Sequence, residues 1–265
     1  MKNVLNLCGV YIKTLRFPVC FLALLLTSTS FIMLRDGRFL QYVPIFFAVW
    51  LVTDVTMRQN DWRDRVNDLK KGRSYVHQYE KDFLIILILL WIVTVLLIGF
   101  ITHFVPFDGI LLALMALVGA LYSETRRIPM APLILVSLTA VSPVLLAYPF
   151  AGWSDTHAQL FLMGACLIFA REIMGDIFDV SSDYGYKWTI PQKLGVQKAK
   201  YITTGFFVMA AYLTLVSFGV TMLLWEMIAS FGCYRILWNG DTNGYKYLDG
   251  GLLLILLTII LKYLF

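Results

Sequence analysis

Residues 60–68 have the sequence NDWRDRVND. They form an acidic stretch at the end of a long apolar segment. On a helix that turns about 100° per residue, Asp64 lies about 40° and Asp68 about 80° from Asn60, with Asp61 near 100°. The stretch therefore predicts a helix whose acidic side chains form one stripe. Carboxylates stacked in this way repel one another unless a cation lies between them or they are protonated.

A second acidic stretch, residues 171–183 (REIMGDIFDVSSD), also follows a hydrophobic run. If this stretch is helical, Glu172, Asp176, Asp179 and Asp183 fall within about 60° of one another. Mg²⁺ prefers oxygen ligands and typically binds one or two carboxylates together with substrate phosphates. Two facing stripes therefore predict a pair of Mg²⁺ sites around a diphosphate. The alternative is that both stretches are solvated helix ends balanced by neighbouring arginines.

The composition is that of a polytopic helical membrane protein. Of the 265 residues, 59% are hydrophobic and 15% are charged, and the mean hydropathy is +0.74. We predict one all-α domain, residues 1–265, with nine transmembrane helices, preceded by an interfacial helix over residues 2–16. The predicted spans are residues 17–34, 39–57, 83–103, 110–122, 132–148, 157–174, 202–216, 221–236 and 247–264.

The distribution of Lys and Arg predicts the orientation. With nine spans and an internal N-terminus, 19 of the 22 basic residues lie on the side that carries both acidic stretches, and Arg35, Arg38 and Lys262 lie on the other. The positive-inside rule makes the first side cytoplasmic. The net charge of +5 then reflects topology and attraction to lipid headgroups or a diphosphate. With no basic-aromatic motif, nucleic acid is not a predicted partner.

Several residues near the acidic stretches are suited to phosphate binding. Arg16 opens the first span, where it either snorkels to lipid headgroups or reaches a phosphate oxygen. Tyr122 and Arg126 lie on one helical face if the helix continues, with the Ser123 hydroxyl beside them. Lys187 follows the second acidic stretch. A basic end on a membrane span is also ordinary topology, so none of these residues is decisive alone.

Asp54 and Glu226 are the acids predicted to lie deepest in the apolar segments. Either could line a pocket, and Glu226 could equally pair with a neighbouring helix. A non-enzymatic carrier that uses buried acids as an ion path is a rival interpretation. Its acids should lie near the membrane midplane in broken helices, whereas most acids here are predicted at the cytoplasmic end.

These residues resemble the UbiA superfamily of intramembrane prenyltransferases. Asn60, Asp64 and Asp68 match its Asn-x-x-x-Asp-x-x-x-Asp motif, and Asp179 and Asp183 match its Asp-x-x-x-Asp motif. The family's Tyr-x-x-x-Lys element is present as Tyr122 and Arg126, with Arg in place of Lys. Arg16 sits where the family has an arginine in its first helix, and Asp176 is an additional acid upstream of the second motif.

The resemblance implies a nine-helix bundle around a central cavity, in which Mg²⁺ holds an isoprenoid diphosphate whose tail lies in an apolar tunnel open to the lipid bilayer. The implied metal ligands are Asn60, Asp64, Asp68, Asp179 and Asp183. The implied diphosphate ligands are Arg16, Asn60, Tyr122, Ser123, Arg126 and Lys187. The expected catalytic residues are Asp64, Asp68, Asp176, Asp179 and Asp183.

The expected reaction transfers the prenyl group to a hydrophobic acceptor, which is an aromatic compound, a quinone precursor or a lipid. Aromatic side chains would shield the allyl cation, and Asp54, Glu172 or Asp176 would take the acceptor's proton. The alternative with the same fold is a UbiA-type terpene cyclase, in which the cation closes on its own tail without an acceptor.

Overall fold

The described residues are mostly helical. A computed structural model of the chain describes residues 2–34, 39–70, 75–152 and 154–264, and within them it contains α-helices and short 3-10 turns but no strand. Arg35 and Arg38, which the topology prediction placed on the outer side, lie outside the described residues. The helices are α1 (Lys2–Thr14), α2 (Phe17–Ile32), α3 (Val43–Lys70), α4 (Tyr75–Gln78), α5 (Glu80–Phe104), α6 (Pro106–Leu121), α7 (Ala131–Val141), α8 (Tyr148–Ala151), α9 (Asp155–Phe178), α10 (Ile190–Leu194), α11 (Val196–Phe218), α12 (Leu223–Asn239) and α13 (Gly244–Leu264).

Six of the described helical segments are long and apolar enough to cross a membrane, or seven if α2 and the end of α1, which meet at 70°, form one span. Helix α5 has 25 residues, which corresponds to about 37 Å at 1.5 Å per residue, and it exposes apolar side chains such as Leu89 and Leu96. These features support a multi-pass membrane protein. Each predicted span coincides with helix, but α3 and α9 also carry the acidic stretches and are less apolar. The count of nine spans is therefore not confirmed.

The chain divides into two compact units, Met1–Leu24 with Leu40–Glu124 and Leu25–Phe39 with Thr125–Phe265. In the first unit, α3 packs against α5 and α6, and α1 packs against α5. Gln59 on α3 joins the packed helices, because its side-chain amide donates to the Ala120 carbonyl at 3.2 Å and its carbonyl accepts from the Trp91 indole at 2.8 Å. The polar side chain of Gln59 is therefore hydrogen-bonded on both sides within the apolar core of this unit.

A buried arginine attaches α1 to α3. Arg58 is 1% exposed, and its Nε donates to Asp54, four residues earlier on α3, at 2.9 Å. The other guanidinium nitrogens donate to the Thr14 hydroxyl and, at 3.1 Å, to the Tyr11 carbonyl. The guanidinium also lies 4.6 Å from the centre of the Tyr11 ring. Asp54, predicted as a possible pocket residue, therefore neutralises Arg58 inside this unit.

In the second unit, α9 packs against α7 and α11, and α12 packs against α13. Helix α9 begins at a cap in which the Ser154 hydroxyl accepts from the His157 backbone N–H. The His157 ring then contacts the Ser30 carbonyl, at 3.0 Å, and so joins α9 to the end of α2. Glu226 on α12 is buried beside Thr214 of α11, which corresponds to the second of its two predicted roles, pairing with a neighbouring helix.

Close packing of α12 on α13 depends on glycines. A Cβ atom on Gly251 would lie 2.8 Å from the backbone nitrogen of Ala229 and 2.8 Å from the backbone oxygen of Trp225. Backbone atoms cannot swing aside as a flexible side chain can, so the two helices would have to separate. The adjacent Gly250 has nothing within 4 Å of its Cβ position. Small residues at helix crossings are typical of membrane helix pairs.

We expect Gly251→Ala to lower the free energy of unfolding by about 1–3 kcal/mol, because it overpacks the α12–α13 contact. Gly250→Ala is the matched control, and we expect it to be neutral or to stabilise by up to about 1 kcal/mol through its higher helix propensity. Thermal and denaturant unfolding of the purified protein in detergent would measure both. Equal effects of the two substitutions would contradict the role given to Gly251.

Candidate functional site

The first acidic stretch lies on α3, as predicted. This helix continues to Lys70, so Asn60, Asp64 and Asp68 share one helical face. Asp68 is buried, whereas Asn60 and Asp64 are half-buried. The Ser123 hydroxyl donates to the Asn60 side-chain oxygen at 3.2 Å, so the first unit brings together two of the predicted diphosphate ligands.

The segment after α6 differs from the prediction. The α-helix ends at Leu121, and Tyr122–Thr125 form a 3-10 turn. A 3-10 helix has about three residues per turn rather than 3.6. The expected α-helical face shared by Tyr122 and Arg126 is therefore not formed. Tyr122 and Ser123 are half-buried in this turn, next to each other in the chain.

Arg16 is held by a carboxylate of the first acidic stretch. Its Nε donates to Asp61 at 3.1 Å, and a second guanidinium nitrogen donates to the other oxygen of the same carboxylate. Asp61 is 1% exposed, whereas the Arg16 side chain is 39% exposed. Tyr75 of α4 lies beside both side chains, and burial, reinforced by the charge of Asp61, raises the pKa of Tyr75 to about 12. Tyr75 therefore remains a neutral hydroxyl at physiological pH.

The second acidic stretch is only partly helical, and the prediction of one continuous helical stripe is wrong there. Helix α9 ends at Phe178, and Asp179 caps its C-terminus through a backbone bond to Gly175. Asp183 follows in a turn, in which its N–H donates to the Asp179 carbonyl at 2.9 Å. Asp176 and Asp183 are buried and Asp179 is half-buried. The turn still keeps Asp179 and Asp183 adjacent to each other.

Lys187 reaches back to α9. Its ammonium lies 2.7 Å from Asp176 Oδ1, and both side chains are largely buried. The second unit thus joins a predicted diphosphate ligand to a predicted catalytic carboxylate. The contact neutralises the charge that burial would otherwise make costly.

Arg126, another predicted diphosphate ligand of the second unit, is buried, with 5% of its surface exposed. Its guanidinium donates to the Tyr186 hydroxyl and lies 5.1 Å from the centre of that ring. Its backbone carbonyl accepts from the Trp188 N–H at 2.7 Å. Burial lowers the pKa of Arg126, while Tyr186 and Asp183 act in the opposite direction. Arg126 and Asp183 are therefore close enough to interact electrostatically.

Sequence reasoning missed three partners of the predicted ligands: Asp61 and Tyr75 for Arg16, and Tyr186 for Arg126. Asp61 lies 45 residues from Arg16 in the chain, and Tyr186 lies 60 residues from Arg126. Helical periodicity relates residues three or four apart and does not identify such pairs. One feature of the sequence could have pointed to Tyr186: it precedes Lys187, a predicted ligand, in the loop after an acidic motif.

The donor set is compatible with a metal that the substrate helps to bind. Within residues 2–34, 39–70, 75–152 and 154–264, no three His, Cys, Asp or Glu side chains form a group able to hold a metal ion. The two acidic stretches nevertheless supply carboxylate and amide oxygens. Mg²⁺ commonly binds through one or two such groups and completes its shell with water and substrate phosphates. Each acidic stretch, taken by itself, therefore carries ligand types that Mg²⁺ uses, and the expected Mg²⁺ stays a prediction.

The fold is similar to two solved membrane proteins along nearly the whole chain. One is a digeranylgeranylglyceryl phosphate synthase, at 19% identity and a TM-score of 0.65, with 97% of each chain covered. The other is a UbiA homologue from Aeropyrum pernix K1, at 11% identity and a TM-score of 0.75, with 93% of this chain and 98% of that chain covered. The resemblance to the UbiA superfamily is thus confirmed at the level of the fold. No family model matches the sequence, and no curated protein matches it.

We expect Tyr186→Phe to lower the free energy of unfolding by about 1–3 kcal/mol, because it removes a hydrogen-bond partner of the buried Arg126 guanidinium. Tyr184, two residues earlier, is 84% exposed, and Tyr184→Phe should change stability by less than about 0.5 kcal/mol. Denaturant unfolding of both variants measures the difference. A Tyr186→Phe protein as stable as the control would show that the hydroxyl contributes nothing.

Proposed function

We propose that the protein is an intramembrane prenyltransferase that moves a prenyl group from an isoprenoid diphosphate to a hydrophobic acceptor and releases diphosphate. The proposal is carried by one combination: a fold shared with UbiA-type proteins over nearly the whole chain, and acidic motifs on α3 and after α9. Fold alone does not define function. The acceptor is an aromatic compound, a quinone precursor or a lipid.

The side chains of each acidic stretch have distinct proposed tasks. Asn60, Asp64 and Asp68 of α3, and Asp179 and Asp183 after α9, would hold Mg²⁺. Bound there, the metal would supply Lewis-acid stabilisation of the negative charge on a diphosphate, an effect typically worth several kcal/mol. Asp176 contacts Lys187 at 2.7 Å, so it orients this lysine and limits its movement.

Cationic and hydroxyl groups bind the phosphate oxygens. Arg16, Arg126 and Lys187 supply charged N–H donors, and Tyr122 and Ser123 supply hydroxyls. In the reaction the allylic C–O bond breaks and its electron pair leaves with the diphosphate. The acceptor nucleophile then forms a bond to the allyl carbon and releases a proton.

A carboxylate near the reacting carbon takes that proton, and the candidates are Asp54, Glu172 and Asp176. Asp54 is paired with the buried Arg58 and Asp176 with Lys187, so either carboxylate would have to leave an ion pair to reach the acceptor. Glu172 is half-buried on α9, one turn before Asp176. Glu172 is therefore the proposed proton acceptor.

The reaction is proposed to take place on the cytoplasmic side of the membrane. Support comes from the distribution of charge, since 19 of the 22 Lys and Arg residues fall on the predicted inner side together with both motifs. Labelling of introduced cysteines with a membrane-impermeant reagent, at residue 64 and at residue 155, which is exposed on the predicted outer side, would test this orientation in intact cells. Labelling of residue 64 from outside would contradict it.

The central experiment incubates the purified protein with prenyl diphosphates, with and without a panel of quinone precursors, phenols, glycerol phosphates and chlorins. We expect diphosphate release only when an acceptor is present, inhibition of that release by EDTA, and recovery on addition of Mg²⁺. Cyclised hydrocarbon or terpene alcohol formed without an acceptor would indicate a cyclase instead. Full turnover in EDTA would contradict the metal requirement.

We expect Asp64→Asn and Asp183→Asn to reduce turnover about a hundredfold or more, because each removes a negatively charged metal ligand while keeping the shape of the side chain. Asp155→Asn is the matched control, since Asp155 is exposed at the opposite end of α9. Product formation and thermal unfolding would be measured for all three variants. Normal turnover in either of the first two would remove that residue from the site.

A further inference from the structure

Helices α11, α12 and α13 share a surface of exposed aromatic side chains. The centre of the Tyr201 ring, at the start of α11, lies 5.7 Å from that of Trp238, at the end of α12. The centre of the Phe231 ring on α12 lies 5.3 Å from that of Tyr247, at the start of α13. Each of these four side chains is at least 40% exposed. The start of α11, the end of α12 and the start of α13 therefore lie side by side and carry one aromatic surface.

The opposite ends of the same three helices differ in character. Their one basic residue is Lys262, whose ammonium donates to the Phe218 carbonyl at 3.1 Å. In residues 215–226 and 261–264, the exposed large apolar side chains are aliphatic: Val216, Val220, Leu223, Leu224, Leu261 and Leu264. Tyr, Trp and Lys together are typical of the level at which a helix passes from the hydrocarbon core to the lipid headgroups. The aromatic surface therefore marks such a level, on the predicted inner side.

This level carries an excess of positive charge. Residues 196–201 and 231–247 contain one acid, Asp241, and four basic residues: Lys198, Lys200, Arg235 and Lys246. Asp241 is already paired with Arg235. Among the residues that the structure describes, the three lysines form no ion pair. The surface therefore lacks the negative charge that would balance its lysines.

Lys200, Tyr201 and Trp238 (the Trp238 cluster) combine positive charge with hydrogen-bond donors. The Lys200 ammonium lies 5.4 Å from the centre of the Trp238 ring, and the cation–π attraction holds it there without a carboxylate. An ammonium has three N–H donors, and a ring face does not occupy those that point away from it. Within the described part of the chain, neither the Tyr201 hydroxyl nor the Trp238 indole N–H has a hydrogen-bond partner. The cluster therefore presents one charged and two neutral donors beside two apolar rings.

We propose that the Trp238 cluster binds the headgroup of an anionic phospholipid from the surrounding bilayer. The Lys200 ammonium contacts the phosphate oxygens. The Tyr201 hydroxyl and the Trp238 indole N–H donate to phosphate or ester oxygens, as such groups do at membrane interfaces. Lys198 and Lys246 add positive charge near the same level, which favours a lipid with a net negative charge over a zwitterionic one.

A second copy of the chain fits this surface less well than a lipid. A symmetric contact would bring the same lysines of two copies together, and like charges placed opposite each other weaken association. A lipid headgroup supplies the negative charge that the lysines lack. None of the cluster residues belongs to the predicted diphosphate or metal sites, so the proposal does not depend on the transferase function.

The first test titrates the full-length protein in detergent with phosphatidylglycerol or, separately, with phosphatidylcholine, and measures each apparent Kd by native mass spectrometry. We expect the apparent Kd for phosphatidylglycerol to be the lower of the two. Lys200→Gln should raise it about fivefold, because a Lys beside anionic lipid contributes about that factor. The apparent Kd for phosphatidylcholine should stay the same.

Lys198→Gln is the matched control. Lys198 is exposed on α11, but it lies two residues from Lys200 and therefore about 200° around the helix. The substitution removes the same charge at the same level without altering the Trp238 cluster, so the apparent Kd for phosphatidylglycerol should not change. Equal weakening by the two substitutions, or equal apparent Kd values for the two lipids, would overturn the proposal.

The second test uses fluorescence in vesicles. The chain has seven tryptophans, and the difference in emission between the wild-type protein and Trp238→Phe isolates Trp238, with thermal unfolding as a check of folding. Brominated lipids quench a tryptophan that they touch, so brominated phosphatidylglycerol should quench this emission more than brominated phosphatidylcholine at the same mole fraction. Equal quenching would contradict a preference for anionic lipid. Absence of quenching by either lipid would show that protein, such as a second copy, covers this surface, and would also overturn the proposal.

Discussion

In an apolar helical protein, a buried charge is stable only beside a partner. Arg58 illustrates this constraint: it is 1% exposed and bonds to Asp54, to the Thr14 hydroxyl and to the Tyr11 carbonyl. An unpaired charge at such a position costs several kcal/mol. The requirement to satisfy Arg58 therefore fixes the end of α1 on α3. The position of α1 in turn sets the corner at which Arg16 lies.

The same constraint shapes both acidic stretches, and each unit neutralises charge internally. Arg16 is paired with Asp61 in the first unit, and Lys187 is paired with Asp176 in the second. Under the proposed function, a diphosphate with its metal exchanges with some of these internal contacts. The free energy of binding is then the difference between the free energy of the contacts that form and that of the contacts that break.

Identities of 11% and 19% accompany similarity of fold over more than 90% of the chain. Membrane helix packing explains how this is possible, because the interior requires apolar residues and small residues at crossings rather than particular side chains. Gly251 is such a position, whereas its neighbour Gly250 is not. Function depends instead on a few polar residues, so the proposed activity resides in the acidic motifs and not in the fold.

The sequence by itself determined the all-helical class, the positions of the main helices and the face shared by Asn60, Asp64 and Asp68, because these follow from local hydrophobic and helical periodicity. Only the tertiary structure decided that α9 ends at Phe178 and that a 3-10 turn begins at Tyr122. It also decided the pairing of Arg16 with Asp61, 45 residues away. Helix ends and long-range pairs depend on which side chains are buried together, and no local repeat in the sequence carries that information.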